Sequence, residues 1–253
     1  MQRDRLINFI NKTLDYEKGK DPWLFNGLQV IGKPEVKKIV IGVSPRMELF
    51  EKAVDLGADM IILHHGLLGP KKAGPITKVL KNRLKILFDN DITLLTYHLF
   101  LDKHFELGNN AQLVKLLGAK KGKEFGYMDK LYWGWEGKFD KAISITTLIQ
   151  RCRELCGNST KIFQYGPKMI KKIGVVSGGG PYLLNEAVDK NLDAYLTGEA
   201  RESTEAWTKE GEINFIYLGH YNSEKFGIQA LDKVIKKKFP DLQTKFIDIP
   251  NKL

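Results

Sequence analysis

The sequence predicts an α/β protein built from two related modules, in which mixed sheets are flanked by helices. Three observations lead to this prediction. Short apolar runs rich in β-branched residues alternate with amphipathic helical patterns, which is typical of α/β folds. A stretch of the first half of the chain recurs in the second half. Histidines follow several of the predicted strands, at the edge where open α/β sheets bind ligands.

A repeat at a distance of 134 positions relates the two halves. Sliding the chain by this distance places Lys37 on Lys171 and gives eight identities over the 29 positions from Lys37 to His65. Ordinary residue usage would give about two identities over such a length. The excess indicates an internal duplication and therefore two copies of one structural unit.

The first copy reads as strand, helix and strand. Residues 39–43 form a short apolar run that is typical of a buried strand. Ser44-Pro45 suits the start of a helix, and an apolar stripe at helical spacing follows until Gly57. Residues 60–63 are the next strand, and a helix over residues 76–87 leads into a strand at 92–97. Units of this kind place parallel strands side by side.

The second copy repeats this order. Residues 173–176 and 194–196 are its first strands, with a helix over 183–188 between them. A helix near residues 201–210 then leads into a strand at 213–218. The same alternation of elements in both halves supports the duplication.

The remaining segments complete the two modules. They are predicted as an amphipathic first helix over 6–14, strands at 125–127 and 131–135, a helix at 145–156, a strand at 161–163, a terminal helix at 222–239 and a last strand at 244–247. We expect a first module over residues 1–122 and a second over residues 123–253, with the middle segment as an insertion in the second.

The composition is that of a globular protein. Hydrophobic residues make up 43% and charged residues 28% of the 253 positions, which excludes collagen-like and disordered classes. No apolar run approaches the ~18 residues of a membrane span, and residues 1–10 lack the features of a secretory signal. We therefore expect a cytoplasmic protein with no membrane contact. Cys152 and Cys156 lie four positions apart in a predicted helix, which favours core packing over a disulfide.

Four of the five histidines occur where predicted strands end. His64 and His65 follow the strand at 60–63. His98 follows the strand at 92–97, and Asp102 comes four residues later. His220 follows the strand at 213–218, and Glu224 comes four residues later. Because the carboxyl ends of parallel strands meet at one edge of a sheet, these side chains can converge from distant positions.

Imidazole and carboxylate ligands together favour divalent zinc, iron, manganese, cobalt or nickel. Even three of these four imidazoles with the two carboxylates exceed what one tetrahedral ion requires, so we expect two cations per subunit at a site between the modules. Adjacent residues of an extended strand point to opposite faces. Either the chain turns at His64 and His65, or each of these histidines serves a different ion.

Together these residues resemble a known family, the dinuclear-metal proteins called GTP cyclohydrolase 1 type 2 or NGG-interacting factor three-like. The resemblance covers nearly the whole chain. Its marks are Asn26-Gly27-Leu28-Gln29, Leu63-His64-His65-Gly66, the stretch from His98 to Asp102, Ser177-Gly178-Gly179-Gly180, Leu196-Thr197-Gly198-Glu199, and Gly219-His220 with Ser223-Glu224 and Gly227. Two stretches depart from the family pattern, Leu99-Phe100-Leu101 and Leu67-Leu68-Gly69-Pro70, and they leave the identity of the substrate open.

The resemblance implies a ligand set, a mechanism and an assembly. The implied ligands of the metal pair are His64, His65, Asp102, His220 and Glu224, with Glu224 as the bridge. Glu224 and His98 are then the candidate catalytic residues, His98 as a group that positions substrate or transfers a proton. The resemblance also implies a toroidal homohexamer and hydrolytic opening of the guanine ring of GTP, in which activated water attacks C8 and formate is released.

Two other functions stay open at this point. The same cations would serve a hydrolase acting on a phosphoester or another nucleotide. Alternatively, the chain is an adaptor or a ring that binds nucleic acid without sequence preference and uses its metals structurally. The net charge of +10 favours nucleic-acid binding. The lysine runs and three aromatic residues favour it too: Lys71-Lys72, Lys120-Lys121 with Lys123, Lys236-Lys237-Lys238, and Tyr132, Trp133 and Trp135. For the lysine runs, solvated helix ends and loops are the favoured interpretation, and for these aromatic residues sheet packing is favoured. For the Gly178–Gly180 run, a tight turn is favoured over an anion cradle.

Overall fold

A computed structural model describes residues 1–16, 21–70 and 74–251. The helices in these residues are α1 Arg3–Thr13, α2 Met47–Asp55, α3 Lys78–Asp89, α4 Leu99–Lys103, α5 Asn109–Leu116, α6 Ile145–Cys156, α7 Leu184–Asp189, α8 Thr204–Glu210, α9 His220–Ser223 and α10 Lys225–Lys238. The strands are β1 Gly27–Val30, β2 Lys38–Gly42, β3 Met60–Leu63, β4 Thr93–Thr96, β5 Lys120–Met128, β6 Leu131–Ser144, β7 Lys161–Gln164, β8 Met169–Val176, β9 Ala194–Thr197, β10 Asn214–Tyr217 and β11 Gln243–Phe246. These elements confirm the predicted α/β class with mixed sheets.

The chain divides into two compact units. The first comprises Met1–Leu101 and Ile228–Ile249, and the second comprises Asp102–Gly227 with Pro250–Leu253. These limits differ from the predicted modules 1–122 and 123–253. Residues 102–122 belong to the second unit because α5 packs on β5, β6 and β8. Residues 228–249 belong to the first unit because β11 pairs with β2.

The first unit contains a five-stranded sheet in the order β1-β4-β3-β2-β11, as far as the described residues show. Strands β2, β3, β4 and β11 are parallel, and β1 is antiparallel to β4. All four residues of β3 and of β4 are buried, as expected for parallel strands covered on both faces. Leu49, Phe50 and Ala53 of α2 pack in the hydrophobic core on one face.

The second unit contains a six-stranded sheet in the order β5-β6-β8-β9-β10-β7 among the described residues. Strands β8, β9 and β10 are parallel, whereas β5, β6 and β7 pair antiparallel with their neighbours. Alternate residues enter two cores: Val175 lies in the core beneath α5 and α6, and Val176 lies in the core beneath α7. Cys152 and Cys156 are free, buried thiols in the first of these cores, which confirms their predicted packing role.

The two sheets share one topology, which supports the predicted duplication. The series β1-β4-β3-β2 in the first unit matches β7-β10-β9-β8 in the second in strand order and direction. One contact recurs at the same spacing of 134 positions. Asp59 Oδ2 accepts hydrogen bonds from the amides of Lys37 and Lys38, and Asp193 Oδ2 accepts them from the corresponding two lysines.

Some elements differ from the predicted ones. Strand β1 and helix α5 were not predicted, and β5 and β6 form a longer hairpin than expected. Helix α3 begins at Lys78 because the Thr77 side chain caps it, so Ile76 lies outside the helix and is exposed. None of the helices in the described residues combines the length and apolar character that crossing a bilayer requires.

Candidate metal centre

Three imidazole rings converge in the first unit. His64 and His65 directly follow β3, and His98 follows the neighbouring parallel strand β4. The ring centroids lie 4.7 Å apart for His64 and His65, 5.2 Å for His64 and His98, and 5.6 Å for His65 and His98. One ring nitrogen from each residue lies within 4.8 Å of the others. The chain therefore turns after Leu63, which brings both rings to the same place. Whether the two histidines serve one ion or two stays a prediction.

Hydrogen bonds at Nδ1 orient the first two of these rings. His64 Nδ1 donates to the carbonyl oxygen of Tyr97 at 3.0 Å. His65 Nδ1 lies 3.1 Å from Ser44 Oγ, within hydrogen-bond distance. Because a carbonyl oxygen only accepts, the neutral ring of His64 carries its proton on Nδ1 and its lone pair on Nε2. That tautomer is the one in which Nε2 can bind a cation.

A buried carboxylate orients the third ring. His98 Nδ1 donates to Asp21 Oδ2 at 3.0 Å, and the Asp21 side chain is 1% exposed. Asn26 Nδ2 and the Trp23 amide also donate to this carboxylate, at 2.9 and 2.8 Å. Burial favours the protonated carboxyl, but the hydrogen bond and charge of His98 outweigh it and lower the pKa of Asp21 to about 2. Asp21 is thus an anion that fixes the ring of His98.

In the second unit, two carboxylates flank one imidazole. His220 begins α9, next to the end of β10; its Nδ1 donates to Glu199 Oε1 at 2.6 Å, and its Nε2 lies 3.1 Å from Glu224 Oε2. Burial favours the neutral ring, but the charge of Glu224 and the hydrogen bonds to both carboxylates raise the pKa of His220 to about 11. A proton therefore occupies His220 where a cation would otherwise balance the two negative charges.

Asp102 is buried near Glu224 in the second unit. It lies in α4, and its Oδ1 accepts hydrogen bonds from Asn109 Nδ2 at 2.8 Å and from Ser177 Oγ at 3.0 Å. A carboxylate oxygen of Asp102 lies within 4.8 Å of one of Glu224, which is only 3% exposed. Two hydrogen bonds to the same oxygen fix the direction of the Asp102 carboxylate.

The glycine run 178–180 forms a tight turn against this cluster. The amide of Gly178 donates to Ser223 Oγ, and the amide of Gly180 donates to Thr197 Oγ1. These donors are thus used inside the protein, which agrees with a tight turn rather than an anion cradle. Gly178 has φ of +64°, and a Cβ there would lie 2.1 Å from Glu224 Oε1. Only glycine allows this approach.

The structure identifies two further carboxylates to which the sequence reasoning gave no role, Asp21 and Glu199. The repeat could have indicated Glu199, because sliding the chain by 134 positions aligns Glu199 with His65, a predicted site residue. For Asp21 no local pattern is available, since it contacts His98 only through the folded chain. His104, the fifth histidine of the chain, caps a turn by accepting hydrogen bonds from the amides of Glu106 and Leu107.

The residues considered for stacking on nucleic-acid bases are mostly buried. Trp133 and Trp135 are 4% and 8% exposed and pack within the second unit, which confirms the interpretation as sheet packing. Tyr132 is 39% exposed and contacts Tyr127 in the same hairpin. The Lys71-Lys72 pair lies outside the described residues.

The donor set fits divalent cations of the borderline class. In the first unit the structure brings His64, His65 and His98 together, and in the second Glu224 lies close to Asp102 and to His220. Imidazole nitrogens with carboxylate oxygens suit zinc, iron, manganese, cobalt or nickel. Carboxylates and a backbone carbonyl that hold the rings through Nδ1 are the usual supports of metal-binding histidines. The first unit therefore contains a cluster that could hold a metal ion, and the second unit contains imidazole and carboxylate groups of the same chemistry.

Comparisons with known proteins agree with these observations. The sequence matches the family Duf34/NIF3 (NGG1p interacting factor 3) over residues 1–252. A GTP cyclohydrolase 1 type 2 homolog of Archaeoglobus fulgidus is 35% identical over 253 residues, which is all of both chains. One of Escherichia coli K12 is 37% identical over 256 residues, with 99% of each chain covered. The crystal structure of a Thermus thermophilus protein superposes with a TM-score of 0.89 at 32% identity, covering both chains fully.

The match spans the segments that carry the histidine and carboxylate clusters, and the relatives are as long as this chain. The resemblance found in the sequence is thereby confirmed, and the chain belongs to the Duf34/NIF3 (NGG1p interacting factor 3) family.

Proposed function

We propose that this protein binds a pair of divalent cations and uses them for hydrolysis. The proposed ligands are His64, His65, Asp102, His220 and Glu224, with Glu224 as the bridging carboxylate. The main observation behind the proposal is that hydrogen bonds at Nδ1 hold the imidazole rings in place. Two of the proposed ligands, His64 and His220, donate Nδ1–H to a carbonyl and a carboxylate oxygen respectively. This arrangement leaves Nε2 as the ring atom that would bind a cation, which is the usual support of a metal-binding histidine.

The chemistry of the site follows from these groups. Bound divalent cations supply Lewis acidity and lower the pKa of water, which provides a nucleophile near neutral pH. His98 is held by the Asp21 anion, so it can accept a proton at Nε2 and pass it to a leaving group. Glu199 holds His220 in the same way and keeps its ring in one orientation.

We propose a purine nucleotide, GTP, as the substrate. The names of the curated relatives support this class of substrate. In the proposed reaction, water adds to C8 of the guanine ring, the five-membered ring opens, and a second water releases C8 as formate. The +10 net charge supports attraction of a triphosphate. We also propose a toroidal homohexamer, which light scattering of the purified protein will test.

Elemental analysis tests the metal pair directly. Protein purified without added metal is expected to carry close to two equivalents per chain, and Glu224→Ala is expected to lose most of them. Glu210→Ala is the matched control, because Glu210 is an exposed residue at the end of α8. Equal metal contents in the two variants would overturn the proposed ligand set.

Formate release tests the substrate separately. Metal-loaded protein incubated with GTP is expected to produce formate and an opened-ring product, and His98→Gln is expected to slow this without removing metal. Absence of formate with a full metal complement would refute GTP while leaving the metal proposal intact. Phosphate release instead of formate would identify a phosphoester hydrolase.

A further inference from the structure

Three lysines face one another across neighbouring strands of the second unit. Lys120 of β5 is paired with Lys138 of β6, and Lys138 is paired with Lys172 of β8. Directly paired residues project from the same face of a sheet. All three side chains are exposed. We call Lys120, Lys138 and Lys172 the lysine row.

The lysine row has little compensating negative charge. Lys120 forms an exposed ion pair with Asp140 at 2.8 Å, whereas Lys138 and Lys172 form none among the described residues. Lys171 adds a further positive charge and donates to the Asp140 carbonyl oxygen at 2.6 Å. Like charges directly opposite one another destabilise a sheet. This arrangement therefore opposes folding, and binding of an anion would relieve it.

A concave surface accompanies the row. Two members of the row, Lys120 and Lys138, line a shallow cavity of about 340 Å³ together with Phe139, Asp140 and Lys171. The cavity is distinct from the candidate metal ligands of the same unit. Lys171, which lines the cavity, lies in the first half of β8, whereas the glycine turn that contacts Glu224 follows the last residue of that strand.

We propose that the lysine row binds the phosphate backbone of a nucleic acid. Neighbouring strands lie about 4.8 Å apart, so the row spans about 10 Å. Phosphates of one strand of a duplex follow each other every ~3.4 Å along the axis, so the row covers about three of them. The excess of ten positive charges over the whole chain adds long-range attraction to the same ligand. Contacts limited to phosphates give binding without sequence preference.

Salt dependence provides the measurement. If three phosphates are neutralised, a plot of the logarithm of the binding constant against the logarithm of the salt concentration has a slope of about −2.7. The affinity then falls about 40-fold between 50 and 200 mM salt. Fluorescence anisotropy of a labelled 20-base-pair duplex with the full chain gives this slope. Each lysine removed is expected to reduce it by about one.

A charge-matched pair of variants separates the lysine row from general basicity. The first carries Lys120→Gln, Lys138→Gln and Lys172→Gln. The control carries Lys115→Gln, Lys161→Gln and Lys209→Gln, all exposed and on α5, β7 and α8. The variant of the lysine row is expected to bind the duplex at least tenfold more weakly and to show little dependence of affinity on salt. The affinity of the control is expected to change by about twofold at most.

Three outcomes would overturn the proposal: no duplex binding at 50 mM salt, equal losses in the two triple variants, or binding of linear polyphosphate with none of the duplex. Glu224→Ala is expected to leave duplex binding unchanged, because the row contains no proposed metal ligand. A loss in that variant would also contradict the assignment. Circular dichroism of each variant confirms that it is folded before binding is compared.

Discussion

Replacement of Gly178 by alanine is a sensitive test of the cluster in the second unit. The added Cβ would lie 2.1 Å from Glu224 Oε1 and 3.2 Å from His220 Nε2. Real Cβ atoms do not approach a carboxylate oxygen this closely, so the Glu224 side chain must move. The backbone is also strained, because alanine would have to adopt a φ of +64°.

Gly57 is the matched control for the backbone strain. It has the same φ of +64°, but the nearest atom to its Cβ is the flexible ammonium group of Lys38 at 3.8 Å. Gly57→Ala is therefore expected to cost only the left-handed conformation, about 1–2 kcal/mol. Gly178→Ala adds displacement of a buried side chain, which raises the total to about 2–5 kcal/mol. At about 2–4 °C per kcal/mol for a chain of this size, the control loses about 2–8 °C in Tm.

Metal content gives the second part of this prediction. Gly178→Ala is expected to weaken metal binding by at least about 10–100-fold, as when the support of a metal ligand is removed, whereas Gly57→Ala retains the wild-type content. Elemental analysis and differential scanning calorimetry measure the two effects. Combining Gly178→Ala with Glu224→Asp, which shortens the displaced side chain, is expected to recover part of the lost Tm. Wild-type metal content in Gly178→Ala, with a Tm equal to that of Gly57→Ala, would refute the reasoning.

Four other features of the described residues give predictions of their own. The pKa of Asp21 is lowered to about 2, so its stabilising contribution of about 2 kcal/mol is present above pH 4 and is lost as pH falls toward 2; urea titrations should show that Asp21→Asn removes this acid dependence. The pKa of His220 is raised to about 11, so cation binding at pH 7 must expel its proton, and calorimetry in buffers of different ionisation enthalpy should detect that release. The thiol of Cys152 is fully buried and burial raises its pKa, so a thiol reagent should react with it only after unfolding; reaction in the native protein would contradict the packing. Lys138→Thr relieves repulsion between paired lysines and should raise the free energy of unfolding by a few tenths of a kcal/mol at low salt, an increase that should disappear in 1 M salt.

Most of the secondary structure could be predicted because its signals are local. The four fully buried residues of β3 form a continuous apolar run, and the stripe of α2 recurs at helical spacing within nine residues. Helix α5 escaped prediction because its first turn contains the polar pair Asn109 and Asn110, both buried by hydrogen bonds to distant groups. A polar residue in a core position has no signature in a hydrophobic pattern.

The boundary between the units also could not be predicted from composition. Strand β11 lies at the end of the chain and yet pairs with β2, more than two hundred positions away along the sequence. Pairing of this kind depends on which sheet edge is open once the chain has folded. No segment rich in glycine, proline or serine marks the boundary between the units.

The sequence alone determined the residue types and their places at strand ends: His64, His65, His98 and His220, with acidic residues four positions after the last two. It also determined the duplication, because identities survive at one fixed spacing. Only the tertiary structure decided which groups hold these side chains, such as Asp21 on His98 and Glu199 on His220. The physical reason is that a strand end is specified by neighbouring residues, whereas a hydrogen bond needs two atoms within about 3 Å, and only the packed chain brings distant residues that close.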